Sequence, residues 1–251
     1  MTNRLRWPGR FIRDQIERTD DLSNRVLDGT VLPSWMRETA GEPRLVVTVA
    51  MLAALGMQVM LPSEVQLKHS WILPSVAAIL LVITIAANPR RMTRISPTVR
   101  LVGLAMIGSI GMANLWSGTR LVNQLLTGRS AWESGSARTL LLTGGAIWLT
   151  NVIVFALAYW EFDRGGAVAR AHGSARYPDF LFPQMQNAQL SRPSWAPQFV
   201  DYMYLSFTNA SAFSAADVQP LSRWAKTMMM TQAAISLVTV VLVISRAVSI
   251  I

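Results

Sequence analysis

Cysteine is absent from all 251 residues, so disulfides, thiolate catalysis and cysteine-ligated metals or iron–sulfur clusters are excluded, and the redox compartment is left open. Histidine is nearly absent too. His69 and His172 lie in different polar segments, which the topology derived below puts on opposite faces of a membrane, so they are not expected to share a metal or act as a pair. Acids are the scarcer charge, 14 against 23 Lys and Arg, and charged residues make up only 15% of the chain. No phosphate-cradling glycine loop, histidine–glutamate zinc helix or serine nucleophile elbow occurs. An enzyme is therefore the least expected class, a lipid-modifying enzyme built on scattered acids being its residual form. No catalytic residue, metal or cofactor is assigned.

What the chain has instead is 51% hydrophobic residues, gathered in unbroken runs. Such runs point to lipid as the solvent, because a soluble core of this size is built from apolar residues recurring with period 2 or 3.6. The net charge of +9 sits in short segments between the runs, where arginines act as orientation signals and form no nucleic-acid groove. The expected fold is an all-α polytopic transmembrane bundle of about five spans, with a re-entrant or interfacial segment before the last.

Residues 1–44 carry eight Arg and seven acids and read as a cytoplasmic segment. Within it, Phe11, Ile12, Ile16, Leu22, Val26 and Leu27 recur at roughly helical spacing, as in an amphipathic helix at a membrane surface, with Trp35 at its exit. A polar tail is the alternative. Residues 45–138 form a three-span peripheral bundle: Leu45–Leu61, Trp71–Ala87 with Pro74 near its start, and Thr98–Leu126. In the third span Ala105, Ser109, Ala113 and Ser117 repeat every fourth position, a pattern that lets helices approach closely, and Asn114 there and Asn151 in span four are placed to bridge neighbouring helices.

Residues 139–251 form the last unit. Span four, Thr139–Trp160, ends in Glu161, Phe162, Asp163 and Arg164; a polar insertion follows over 163–197, then an intermediate segment over 198–220, then span five from Trp224 to Ile251. The intermediate segment is aromatic and then rich in small polar residues, as expected of a chain that enters the membrane and returns. Lys and Arg concentrate at the N-terminus, at 90–100 and in the insertion, while the opposite side has mainly Lys68, Arg129 and Arg138. This places the N-terminus and the insertion in the cytoplasm of a multi-pass cell-membrane protein.

In the intermediate segment, Tyr204, Leu205, Ser206, Phe207 and Thr208, then Ala210 to Ser214, then Asp217, Pro220, Leu221 and Arg223 resemble the pore-helix, filter and post-filter layout of the two-span potassium-channel module. The last span stands where the inner helix would. In overall organisation the region more closely resembles an uncharacterised bacterial family of multi-spanning membrane proteins, which end in a comparable aromatic, Thr/Ser-rich, Asp-containing loop and a final span. The likeness covers roughly the last hundred residues, about fifty of them in positional detail.

The potassium comparison implies an oligomeric channel-like protein with ions or small solutes as its cargo. The segment departs from that pattern in having no glycine, whose backbone freedom a carbonyl filter uses, so the filter would be degenerate. Thr208, Asn209, Ser211 and Ser214 would line a polar constriction and Asp217 its mouth. Charge counting also puts this loop on the cytoplasmic side, whereas the potassium module carries its filter outside. A second expectation is a non-conducting scaffold or assembly protein, in which the same hydroxyls return hydrogen bonds to helix carbonyls. The partners expected are the lipid bilayer, further copies of the chain and ions, without nucleic acid.

Overall fold

A computed structural model describes residues 32–66, 71–88, 90–92, 96–127, 137–174, 177–187, 192, 194–212 and 217–250. The interfacial helix expected over Phe11–Leu27 and the filter position Ser214 lie outside them.

The fold is mostly helical. The apolar runs become α1 (Arg44–Met60), α2 (Ile72–Ala87), α3 (Pro97–Thr127), α4 (Ala137–Phe162) and α8 (Arg223–Ile250). Between α4 and α8 lie the short helices α5 (Ala167–Ala171) and α6 (Pro183–Gln186) and the longer α7 (Phe199–Ser211). Proline sets several of the boundaries. Pro43 caps α1, and Leu61, which precedes Pro62, is extended at φ −63°, ψ 146° and ends it. Pro97 opens α3, where its missing N–H removes no helical bond. The helices α3, α4 and α8 are long and apolar enough to cross a membrane, whereas α1 and α2 are shorter apolar helices of 17 and 16 residues. The expectation of five spans is therefore met by three helices on length and hydropathy together.

The centre of the bundle is α4, which packs against α1, α3, α7 and α8. In its most apolar stretch 56% of the residues are buried, against 28% in both α3 and α8, so the outer helices present most of their apolar surface outward. At Gly144 a Cβ would lie 2.7 Å from both Val243 methyls, and the absence of a side chain there is what lets α4 and α8 come together.

The polar segments gather at one end. Residues 34–44, the turn around Arg90 and Arg91, and the insertion meet there: Thr39 donates its backbone N–H to the Ala171 carbonyl at 2.9 Å, Arg91 donates to the Gly41 carbonyl at 2.9 Å, and Ser34 donates to the Trp195 carbonyl at 2.8 Å. From this end α7 starts with a capping box between Gln198 and Asp201 and runs along α4, so that Phe207 reaches the edge of Trp148, with centroids 5.7 Å apart. By Leu221 the chain is back at the starting end, its N–H bonded to the Asp179 carbonyl at 2.8 Å. Two short strands, β1 (Phe180–Leu181) and β2 (Gln219–Pro220), pair antiparallel and fasten the insertion to this returning segment.

Candidate functional site

Three of the residues expected to form a filter lie in a helix and not in an extended loop. Thr208, Asn209 and Ser211 lie in the last turn of α7, which continues to Ser211. Thr208 donates its hydroxyl to the carbonyls of Tyr204 and Leu205, at 2.9 and 3.0 Å, and Ser211 donates to Phe207 at 2.8 Å, the back-bonding typical of hydroxyls on helices. The exposed residues of the same helix include Val200, Tyr204, Phe207 and Ser211, the first three apolar or aromatic. Asp217 is exposed and, among the described residues, makes no ion pair, with neither Arg223 nor Lys226 as partner.

Asn209 points the other way, into a buried polar ring that joins α4, α7 and α8. Its Nδ2 donates to the Met229 carbonyl at 3.0 Å and to Gln232 Oε1 at 2.8 Å. That oxygen also accepts the Tyr159 hydroxyl at 2.7 Å. The amide nitrogen of Gln232 reaches Ser206 Oγ at 2.6 Å and its carbonyl at 3.0 Å, and Ser206 donates onward to the Val152 carbonyl at 2.7 Å. Tyr159, Ser206 and Gln232 have no more than 0% of their surface exposed, so each bond replaces a contact with water that the fold has removed.

The helix-bridging residues divide in two. Asn114 accepts from Gln58 at 2.9 Å, tying α3 to α1, and Asn151 donates to Ser236 at 3.2 Å, tying α4 to α8. Ala113 is buried beside Asn114, whereas Ser109 is half-buried and donates to Met106, and Ala105 is exposed on the outer face of α3.

A second constellation closes the polar end and was not expected from the sequence. Arg170 on α5 is 5% exposed. Its Nη2 meets Glu42 Oε1 at 2.8 Å, and Nη1 donates to the carbonyls of Trp160 and Asp163 at 2.6 and 2.9 Å. Its plane lies 5.0 Å from the ring centre of Tyr202. Burial acts to discharge this guanidinium, but Tyr202, Glu42 and Asp163 around it outweigh that and hold its pKa above the ordinary arginine value. Glu42 Oε2 accepts Trp160 Nε1 at 2.7 Å and the Phe199 N–H at 3.1 Å, so one carboxylate holds α4, α5 and the start of α7.

The charge cluster that closes span four belongs to the same joint. Asp163 is fully buried and accepts the Asp179 N–H at 2.8 Å and the Tyr202 hydroxyl at 2.5 Å. Asp179 in turn accepts Trp224 Nε1 at 2.8 Å and the Arg164 N–H at 3.1 Å. Arg164 has φ 53°, a costly conformation for a residue with a Cβ, and is held in it by a 2.6 Å bond to the Trp35 carbonyl and by stacking 5.0 Å from the Trp35 ring centre. At Gly166, φ 96°, a Cβ would stand 2.9 Å from Glu161 Oε1, so the reversal from α4 into α5 needs glycine.

No family model, curated protein or solved structure matches this chain. Among the described residues no group of His, Asp and Glu is arranged to hold a metal ion. Chemically, the two polar constellations can join helices and fix the orientation of the insertion. Of the residues missed, Gln232 carries a legible signal, since it is the one Asn or Gln in the last apolar run and the rule that marks Asn114 and Asn151 also marks it.

Proposed function

We propose that this chain is a five-span protein of the cell membrane, with its N-terminus and polar insertion in the cytoplasm and α7 as a re-entrant element, and that it serves as a non-conducting scaffold for membrane assemblies. The observation that carries this reading is the satisfaction of the α7 polar groups within a single chain: Asn209 in the buried ring, Thr208 and Ser211 on carbonyls of their own helix. A wet pathway needs such groups turned toward a shared axis, yet Val200, Tyr204 and Phe207 on the outward face of α7 are apolar or aromatic, and the exposed Ser211 turns its hydroxyl back to the Phe207 carbonyl. The short α1 and α2 count as spans because they connect the polar end, with its Arg-rich segments, to the opposite end, where Gln124 donates to the Glu64 carbonyl at 2.9 Å. The surface left for assembly is the outer face of α3, where Ala105 and Gly108 are exposed.

Sidedness is open to a direct test because the chain has no native cysteine. With single cysteines at Tyr177 and Glu64, both exposed, a membrane-impermeant maleimide is expected to label Tyr177→Cys only from the cytoplasmic face and Glu64→Cys only from the other. Labelling of both from one face would end the five-span reading.

Conduction is tested by single-channel recording of the folded protein in planar bilayers. Silence across voltage, salt and pH is expected. Reproducible currents whose conductance or ion preference changes in Asp217→Asn or Thr208→Val would instead establish the channel-like reading.

A further inference from the structure

A cavity of about 470 Å³ lies beside the charged joint, walled by α1, α2, the first half of α3, the end of α4 and α5. Its volume falls within the roughly 300–1,000 Å³ of small-molecule sites. Its inner part is apolar, formed by Val47, Met51, Leu104 and Ile107. Its polar end carries Arg44, Arg100 and Glu161, and Leu101 at the rim is 67% exposed, which gives the cavity an apolar lip toward lipid.

The charges at the polar end do not balance. Glu161 faces Arg100, with Oε1 3.5 Å from Nε, so that arginine has a carboxyl partner. Arg44 is left over. It is 7% exposed, its Nε has no acceptor, and among the described residues its side chain makes one hydrogen bond, a long 3.4 Å contact from Nη1 to the Asn88 carbonyl, and no ion pair. A buried guanidinium so poorly satisfied is costly unless an anion completes it, and arginine presents donors in a planar fork that suits phosphate oxygens. The buried ring, the charged joint and the scaffold reading make no use of Arg44.

We infer that this cavity binds one anionic phospholipid, its phosphodiester on Arg44 at the polar end and an acyl chain in the apolar part between α1 and α3. The single uncompensated positive charge matches the single negative charge of a phosphodiester. The placement matches too, because Arg44 begins α1 at the end of the bundle where the polar segments meet, and the apolar walls run from there along the helices. Free phosphate shares the headgroup chemistry but would leave the apolar part empty. This assignment does not depend on whether the protein conducts or scaffolds.

The test is thermal unfolding and native mass spectrometry of the full chain in zwitterionic detergent, titrated with phosphatidylglycerol, phosphatidylcholine or inorganic phosphate. Phosphatidylglycerol is expected to raise Tm saturably and to remain bound one per chain, with phosphatidylcholine and phosphate weaker. Arg44→Met should weaken phosphatidylglycerol about tenfold or more, the loss expected for a charge-assisted hydrogen bond. Gly103→Leu is the second variant: Gly103 lines the cavity and a Cβ there meets nothing within 4 Å, so a leucine is introduced at this wall to take up tail space. It should remove the lipid effect even if Arg44→Met fails to fold. Equal effects of the two lipids, an unchanged phosphatidylglycerol response in Gly103→Leu, or full replacement by phosphate would each overturn the assignment.

Discussion

Replacing Arg170 by alanine is expected to lower the unfolding free energy in detergent by about 3–5 kcal/mol, the cost of removing one partner from a buried ion pair. The size follows from what remains. Glu42 keeps Trp160 Nε1 and the Phe199 N–H but loses its countercharge, and the carbonyls of Trp160 and Asp163 lose the donor that closes the turn after α4. Arg170→Lys should recover only part of this, because a single ammonium does not reproduce the fork that serves two carbonyls and a carboxylate at once. The informative control is the pair Arg170→Met with Glu42→Gln. If the energy resides in an uncompensated charge, the double variant is more stable than the sum of the single losses predicts. Strict additivity, or a loss from Arg170→Ala below about 1 kcal/mol, as for a surface ion pair, would show that the joint does not hold the polar end together.

That joint is also where sequence reasoning stops. The positions of α1, α2, α3, α4 and α8 were legible because an unbroken apolar run is a local signal, and each expected run begins and ends within a few residues of a helix. In the fold, Pro97 at the first position of α3 and Pro62 just after α1 mark two of those limits. The location of α7 was legible as well, from its aromatic residues followed by small polar ones. Its internal structure was not, since hydroxyls and an amide at that spacing suit either an extended constriction or the last turn of a helix, and only the depth of Asn209 between α4 and α8 shows where its amide goes. Arg170 was hidden for a different reason. In the sequence it is one of several arginines in a polar insertion, read as an orientation signal, while its carboxylate partner lies 128 residues away in a segment of mixed charge. A contact that long has no periodic signature. The same holds for Asp163, which is part of a charge cluster at the end of a span in the sequence and the fully buried acceptor of Asp179 and Tyr202 in the fold.

Gln232 offers the second large effect, and it separates two accounts of the polar ring. Substitution by leucine keeps the volume roughly constant but removes the acceptor shared by Tyr159 and Asn209 and the donor to Ser206. Ser206 can keep its bond to Val152, and the second Asn209 N–H keeps Met229, so two donors are orphaned: the Tyr159 hydroxyl and one Asn209 N–H. At about 1–3 kcal/mol for each buried unsatisfied group, the expected loss is about 2–6 kcal/mol. Hydrogen bonds between membrane helices measured by double-mutant cycles average nearer 0.6 kcal/mol, because the separated helices find other partners, and the ring exceeds that only if it is cooperative. Tyr159→Phe decides. In that background one of the two orphans no longer exists, so Gln232→Leu should become cheaper by at least about 0.5 kcal/mol, the coupling expected between residues in one network. A cost unchanged by Tyr159→Phe would mean that Gln232 acts through shape and not through the ring. The satisfied amides would then no longer explain why α7 is held against α4 and α8, and Asn209 would again be free to serve another role.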